Sequence, residues 1–283
     1  MGELLLGAHV SISGSIDLAV DRAKEIGCTT FQIFTRSPRG WKFSSLKENE
    51  VKEFKRKVRL WNLQKPLAHM PYLPNLATPN QEAFKKSVET LIAEIKRCDQ
   101  LGISYLVTHM GSHLGSGIDK GIERVAEACL VAIDKTRRNK AMILLENTAG
   151  TKNSVGFKFE HIRKVLDIVG SKRLGMCFDT CHAFAAGYDL RDDESLEGTL
   201  KELDRVIGLN RLKAVHLNDS KGDLGSNIDR HEHIGLGKIG DEGFTAILHN
   251  KRLITLPMVL ETPEDNLRGH KENLDRLWEL SKG

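Results

Sequence analysis

Residues 174–182 read Leu-Gly-Met-Cys-Phe-Asp-Thr-Cys-His. A short apolar run, too short for a helix of ordinary length, ends on the carboxylate of Asp179, and an imidazole follows three residues later. The run predicts a buried strand, and His182 falls in the loop beyond it. Asp179 and His182 offer one oxygen and one nitrogen ligand on a sharply turning segment, and nothing in the stretch requires both to face the same ion.

The same unit recurs on either side. Apolar runs are expected as strands at 4–9, 30–34, 66–69, 105–109, 142–146, 174–179, 212–218 and 257–261. Amphipathic or charged helices are expected after them at 15–26, 48–61, 81–101, 119–138, 159–169, 196–208, 243–253 and 268–280. The strands do not alternate polar with apolar, as expected of parallel strands covered on their outer face. Eight such units predict an eightfold parallel β/α (TIM) barrel. No Ser/Gly/Pro-rich linker divides the chain, so a single domain over 1–283 is expected.

The ends of six consecutive strands carry His69, His109, Glu146, Asp179, His216 and Glu261. In such a barrel all strand C-termini open onto one face, so these side chains should converge although they are scattered along the chain. A lone buried histidine or carboxylate is usually structural. Six in register are not explained that way. Asp229 and His231, two apart in the loop after strand seven, point to one side if the segment is extended, and His182 joins them from the loop after strand six. Nitrogen and oxygen donors without thiolate suit Zn²⁺ or Mn²⁺. Nine ligands exceed the needs of one ion, so at least two metals are implied and three are expected. Cys181 lies near enough to be a spare ligand but reads better as a small buried hydrophobe.

Composition adds bounds. With 283 residues, 40% hydrophobic and 28% charged, the chain can bury a sizeable core. Lys and Arg exceed Asp and Glu by 42 to 38, which permits an anionic partner without demanding one. Five scattered cysteines without a C-x-x-C pair look like reduced thiols. At the N-terminus Glu3 and the lack of a basic leader argue against a signal peptide, and Leu6 argues against myristoylation of Met1-Gly2. A cytoplasmic monomer without membrane contact is expected. Gly235-Leu236-Gly237-Lys238-Ile239-Gly240 fits a dinucleotide fingerprint, but it follows no strand, so no nucleotide cofactor is expected and the glycines are read as shaping a turn.

Seven separate segments resemble the endonuclease IV family of apurinic/apyrimidinic endonucleases. They are His69-Met-Pro-Tyr-Leu-Pro-Asn-Leu76, His109-Met-Gly-Ser-His-Leu114, Glu146-Asn-Thr-Ala-Gly150, Phe178-Asp-Thr-Cys-His182, His216-Leu-Asn-Asp-Ser-Lys221, Asp229-Arg-His-Glu-His-Ile-Gly235 and Glu261-Thr-Pro263. The resemblance spans nearly the whole chain. It implies three zinc ions: Glu146 bridges two, one completed by His69 and His109 and the other by Asp179, His216 and Glu261. The third is held by His182, Asp229 and His231. It further implies hydrolysis of the phosphodiester 5′ to an abasic site in double-stranded DNA by a metal-bridged hydroxide, with Glu146 and Glu261 as catalytic residues. Arg39, Tyr72 and Leu73 are then expected in the DNA stack, with Arg36 and Lys42 on phosphates. Ser37, Gly40 and Met110 depart from the family's usual residues. The rival readings are a xylose-isomerase-like sugar isomerase or epimerase, and a non-catalytic binder of damaged DNA.

Overall fold

The computed structural model describes residues 4–42 and 44–282; the readings made at Met1, Gly2 and Glu3 lie outside them. Stretches such as Tyr105–His109 and Met142–Glu146 can be apolar on both faces up to their C-terminal ends because neighbours satisfy the backbone on both edges and side chains cover both faces. The strands are β1 (Leu6–Ala8), β2 (Gln32–Phe34), β3 (Leu67–His69), β4 (Tyr105–His109), β5 (Met142–Glu146), β6 (Leu174–Asp179) and β7 (Leu212–His216), with β10 (Met258–Leu260) as the eighth stave. They form one sheet in the order β1-β10-β7-β6-β5-β4-β3-β2, parallel at every ladder.

Closure between β1 and β2 is made by one parallel bridge, His9 to Gln32, with Val10 N–H donating to the Gln32 carbonyl at 2.9 Å, and by the Thr29 and Thr30 N–H groups donating to the Leu6 carbonyl at 2.8 and 3.3 Å. Around the sheet run α1 (Leu18–Glu25), α2 (Glu48–Leu60), α3 (Gln81–Leu101), α4 (Ile118–Lys135), α5 (Phe159–Val169), α7 (Asp193–Val206), α8 (Gly240–His249) and α9 (His270–Leu280).

Side-chain alternation along a strand divides the core in two. Outward-facing residues pack under the helices. Inward-facing Leu67, Val107, Leu144, Cys177, Ala214 and Val259 form a separate apolar layer inside the barrel. Each stands two residues before a candidate ligand: His69, His109, Glu146, Asp179, His216 and Glu261. The period of two therefore directs all six ligands into the next layer up, at the mouth.

Two elements differ from expectation. Residues 180–185 form a helix, α6 (Thr180–Ala185), because Asp179 caps it by accepting from His182 N–H at 2.7 Å. His182 is therefore on a helical turn, not in a loop. The loop after β7 carries an antiparallel ribbon of β8 (Asp219–Ser220) and β9 (His231–Glu232). Boundaries shift elsewhere by a few residues: α7 begins at Asp193, since Asp192 accepts from Ser195 N–H at 2.8 Å and starts the helix earlier than its apolar face does.

The seam depends on Gly7. A methyl group there would meet the Thr30 carbonyl oxygen at 1.9 Å, and a backbone atom cannot swing aside. Gly7→Ala should therefore lower stability by about 1–3 kcal/mol or more through overpacking. In contrast Gly198→Ala, inside α7 with open space around it, should be neutral or stabilise by about 0.5–1 kcal/mol. Urea unfolding of the two variants checks this; equal stabilities would contradict the close approach at the seam.

Candidate metal centre

The nine ligand candidates meet at the barrel mouth, and hydrogen bonding decides which atom each histidine presents. His69 Nδ1 lies 2.7 Å from the Met70 carbonyl, His182 Nδ1 lies 3.0 Å from the Asn147 carbonyl, and His231 Nδ1 lies 2.9 Å from the Glu261 carbonyl. A carbonyl only accepts, so each of these nitrogens carries the proton and Nε2 is turned inward. His216 is reversed: its Nε2 faces the Gln32 side-chain oxygen at 2.9 Å and its Nδ1 faces the centre.

What the inward nitrogens face is also acceptor-only. His69 Nε2 and His109 Nε2 lie 3.1 and 3.4 Å from Glu146 Oε2, while His216 Nδ1 lies 3.0 Å from Glu146 Oε1 and 3.3 Å from Glu261 Oε2. His182 Nε2 lies 3.2 Å from Asp229 Oδ1 and 3.5 Å from His231 Nε2. Lone pairs thus converge on lone pairs, an arrangement stable only with protons or cations between them. Imidazoles whose far nitrogen is tied to an acceptor are what metal sites require. The donor atoms fall into overlapping groups, within each of which they lie within 4.8 Å of one another: His69, His109 and Glu146; Glu146, Asp179, His216 and Glu261; His182, Asp229 and His231. Glu146 belongs to two of them, one oxygen to each. This all-nitrogen and oxygen donor set fits divalent ions.

A fourth group joins Asp179, Cys181 and His231. Burial pushes the Cys181 thiol up to about 12, and its Sγ lies 3.7 Å from the Arg230 carbonyl. Without a metal beside it, this thiol is a small neutral buried group.

Charge follows the same geometry. Glu146 and Asp179 are completely buried, and their ion-pair partners among the described residues are histidines. Burial opposes ionisation of Glu146, but the charges of His109 and His216 outweigh it and hold the carboxyl well below its usual range. Burial opposes charge on His69 and His182 as well. Glu146 overcomes it at His69, and Asp179, Asp229 and Glu146 overcome it at His182, so both lie above their ordinary value.

Four organisers of the site were not singled out from sequence. Asn147 grips Asp179 twice, donating to its carbonyl at 2.9 Å and accepting from its N–H at 2.8 Å. Asn218 donates to Asp179 Oδ2 at 2.6 Å and accepts from Glu261 N–H at 2.8 Å. Gln32 donates to Glu261 Oε1 at 2.6 Å, and His9 lies against both. The first two stand directly after, or two after, a strand-end ligand, and Gln32 is the polar residue in an apolar strand; those were the available signals. The glycine-rich 235–240 loop wraps an internal anion: the N–H groups of Gly235, Gly237 and Ile239 each donate to the Asp219 carboxylate at 3.0 Å. A side chain already occupies this nest, which removes the dinucleotide reading.

A family model described as a xylose isomerase-like TIM barrel matches residues 20–280. A protein of Methanoculleus marisnigri named "Probable endonuclease 4" is 50% identical over 98% of this chain and 99% of its own length. One of the same name from Nitrosopumilus maritimus is 49% identical over the same shares. The crystal structure of endonuclease IV from Thermus thermophilus superposes with a TM-score of 0.87 at 36% identity, covering 98% of this chain and 99% of that one. The chain belongs to the endonuclease IV family. An E. coli 3-keto-D-glucoside 4-epimerase matches with a TM-score of 0.74 but 14% identity, which is a likeness of fold alone.

The residues expected to touch DNA divide. Tyr72 is 71% and Leu73 43% exposed at the rim, Tyr72 edge-on to Phe34 with ring centroids 5.1 Å apart. Arg39 and Lys42 are exposed on the loop after β2. Arg36 is not available for a phosphate: it is buried, its Nε lies 2.9 Å from Glu94 Oε1 and its Nη1 donates to the Trp41 carbonyl at 3.2 Å. It braces the loop from beneath, because α3 carries a buried carboxylate exactly under the loop's root.

The shifts set a pH window for the metal-free protein. His69 and His182 are held above 6.5, so their contribution to stability is fully present below that value and is lost as pH rises through the raised one. Glu146 is held below 4.5, so its contribution is present above that value and is lost as pH falls through the lowered one. Chelated protein should therefore melt at a lower temperature at about pH 9 than at about pH 6. Metal-restored protein should not show this loss, since ions replace the protons. Calorimetry on both forms checks the sign; a chelated protein that gains stability toward pH 9 would refute it.

Proposed function

We propose that this chain hydrolyses the phosphodiester 5′ to an abasic site in duplex DNA, leaving a 3′-hydroxyl and a 5′-deoxyribose phosphate, with three zinc ions per chain. The observation that carries the reading is the third donor group, His182, Asp229 and His231, beside the two that share Glu146. A sugar isomerase or epimerase has no evident use for it. Membership of a family of DNA-cleaving, metal-dependent hydrolases supports the same conclusion.

Glu146 would hold one ion together with His69 and His109 and another together with Asp179, His216 and Glu261, and His182, Asp229 and His231 would hold the third. Ions held there would lower the pKa of water toward ~7 and neutralise charge on a phosphate. The protein's part is graded access. Glu146 and His216 are sealed, while the side chains of His109 and Asp229 are 40% and 47% exposed, so a phosphate has one open side to approach. Glu261, 18% exposed, stands between, its backbone N–H on Asn218 and its Oε1 on Gln32, with Oε2 left toward the reacting side. Tyr72, Leu73 and Arg39 at the rim suit a wedge into stacked DNA, which opens at least cost where a base is missing.

Elemental analysis should find three zinc ions per chain. The protein should nick a duplex carrying one abasic analogue and lose that activity with chelator. Glu261→Gln should still bind the duplex but cleave about 10²–10³-fold more slowly, the usual loss of one preorganised polar group. A fully metallated protein that leaves the duplex intact would favour the isomerase or the non-catalytic binder, and near-normal turnover by Glu261→Gln would remove that residue's role.

A further inference from the structure

Gln32 lies at the one place where the barrel ladder is thinnest, and its buried carboxamide makes three contacts in the mouth. Its nitrogen lies 2.6 Å from Glu261 Oε1 and 3.0 Å from His9 Nδ1, and its oxygen lies 2.9 Å from His216 Nε2. The orientation of the amide follows from chemistry. A carboxylate only accepts, so the NH₂ group must face Glu261, and the oxygen must then face His216. An oxygen acceptor requires a proton on His216 Nε2, which leaves Nδ1 as the lone pair directed at Glu146, Glu261 and Asp179, 3.0, 3.3 and 3.8 Å away. One side chain thus sets both the tautomer of His216 and the rotation of Glu261.

We propose that Gln32 is a positioning residue for the ion held by Glu146, Asp179, His216 and Glu261, presenting His216 through Nδ1 and leaving Glu261 Oε2 free to face it. The inference rests on the reading of those four side chains as metal ligands. His69, His182 and His231 use backbone carbonyls for the same purpose. His216 alone among these four depends on a side chain, so it alone can be altered by one substitution. The second N–H of Gln32 also points at His9, whose Nδ1 lies 3.0 Å from Gln32 Nε2 and 3.4 Å from Glu261 Oε1.

Gln32→Met keeps the volume and removes all three polar contacts. In competition titrations with a chromogenic chelator, one zinc ion should bind about 10–100-fold more weakly, the usual cost of losing a group that orients a ligand. The ion of His182, Asp229 and His231, which does not touch Gln32, should keep its affinity. Nitrogen-15 spectra of the zinc-loaded wild type should show His216 bound through Nδ1 with a proton on Nε2, and the variant should lose that pattern. If Gln32→Met does not fold, Gln32→Asn, one carbon shorter, carries the same test. Unchanged affinity at every site, or an equal loss at all three with a lower melting temperature, overturns the positioning role. A wild type that binds no zinc overturns instead the ligand reading on which it rests.

Discussion

Acceptor atoms aimed at acceptor atoms are the constraint on which this molecule depends. At the barrel mouth carboxylate oxygens and imidazole lone pairs approach to between 3.0 and 3.5 Å with protons fixed on the far side of the rings. Such an assembly resists its own formation unless positive charge enters. The fold holds it in place by making it the continuation of a hydrophobic layer. Leu67, Val107, Leu144, Cys177, Ala214 and Val259 fill the barrel below, and two residues after each stands a candidate ligand. Burial of the apolar layer thereby supplies the free energy that keeps the polar layer assembled.

The second level of control lies in what holds the ligands from behind. Three histidines are oriented by backbone carbonyls, which belong to the chain whatever its sequence and cannot be removed by a side-chain change. Asp179 and Glu261 are oriented by asparagines, and His216 by a glutamine. The two kinds of support differ in what they allow to vary: carbonyl-held ligands are as rigid as the strand ends, while amide-held ones can be tuned one residue at a time. Among the donors around Glu146, His216 and Glu261 use the tunable kind, and Asp179 uses both, with Oδ2 on Asn218 and Oδ1 on the His182 N–H.

Much of this was legible before the fold. Strands 105–109 and 142–146 and helices 81–101 and 159–169 follow their apolar periodicity to the residue. The convergence of the candidate ligands was legible because they stand at strand ends, and a parallel barrel turns sequence position into place. What was not legible required a partner distant in the chain. Arg36 reads as a loop arginine for a phosphate until Glu94, on α3, is found beneath it. Gln32 reads as one polar residue in a strand until His216 and Glu261 arrive from the other side of the barrel. His182 was misplaced for a local reason: a six-residue helix has little periodicity, and only the bond from its own N–H to Asp179 defines its start.

That bond also explains how Asp179 and His182 serve different parts of the site although they are three residues apart. Asp179 Oδ1 is spent on the helix cap, so Oδ2 alone, held by Asn218, faces His216. His182, carried one turn into α6, reaches away from it toward Asp229 and His231 with Nε2 while its Nδ1 is fixed on Asn147. A loop could have let both side chains collapse onto one ion. The helical turn aims His182 Nε2 away from Asp179, while Asp179 Oδ2, 3.8 Å from His216 Nδ1 and 3.9 Å from His231 Nε2, stands where the buried and the open donor groups meet, so that the barrel mouth offers a phosphate two differently exposed faces of a single cluster.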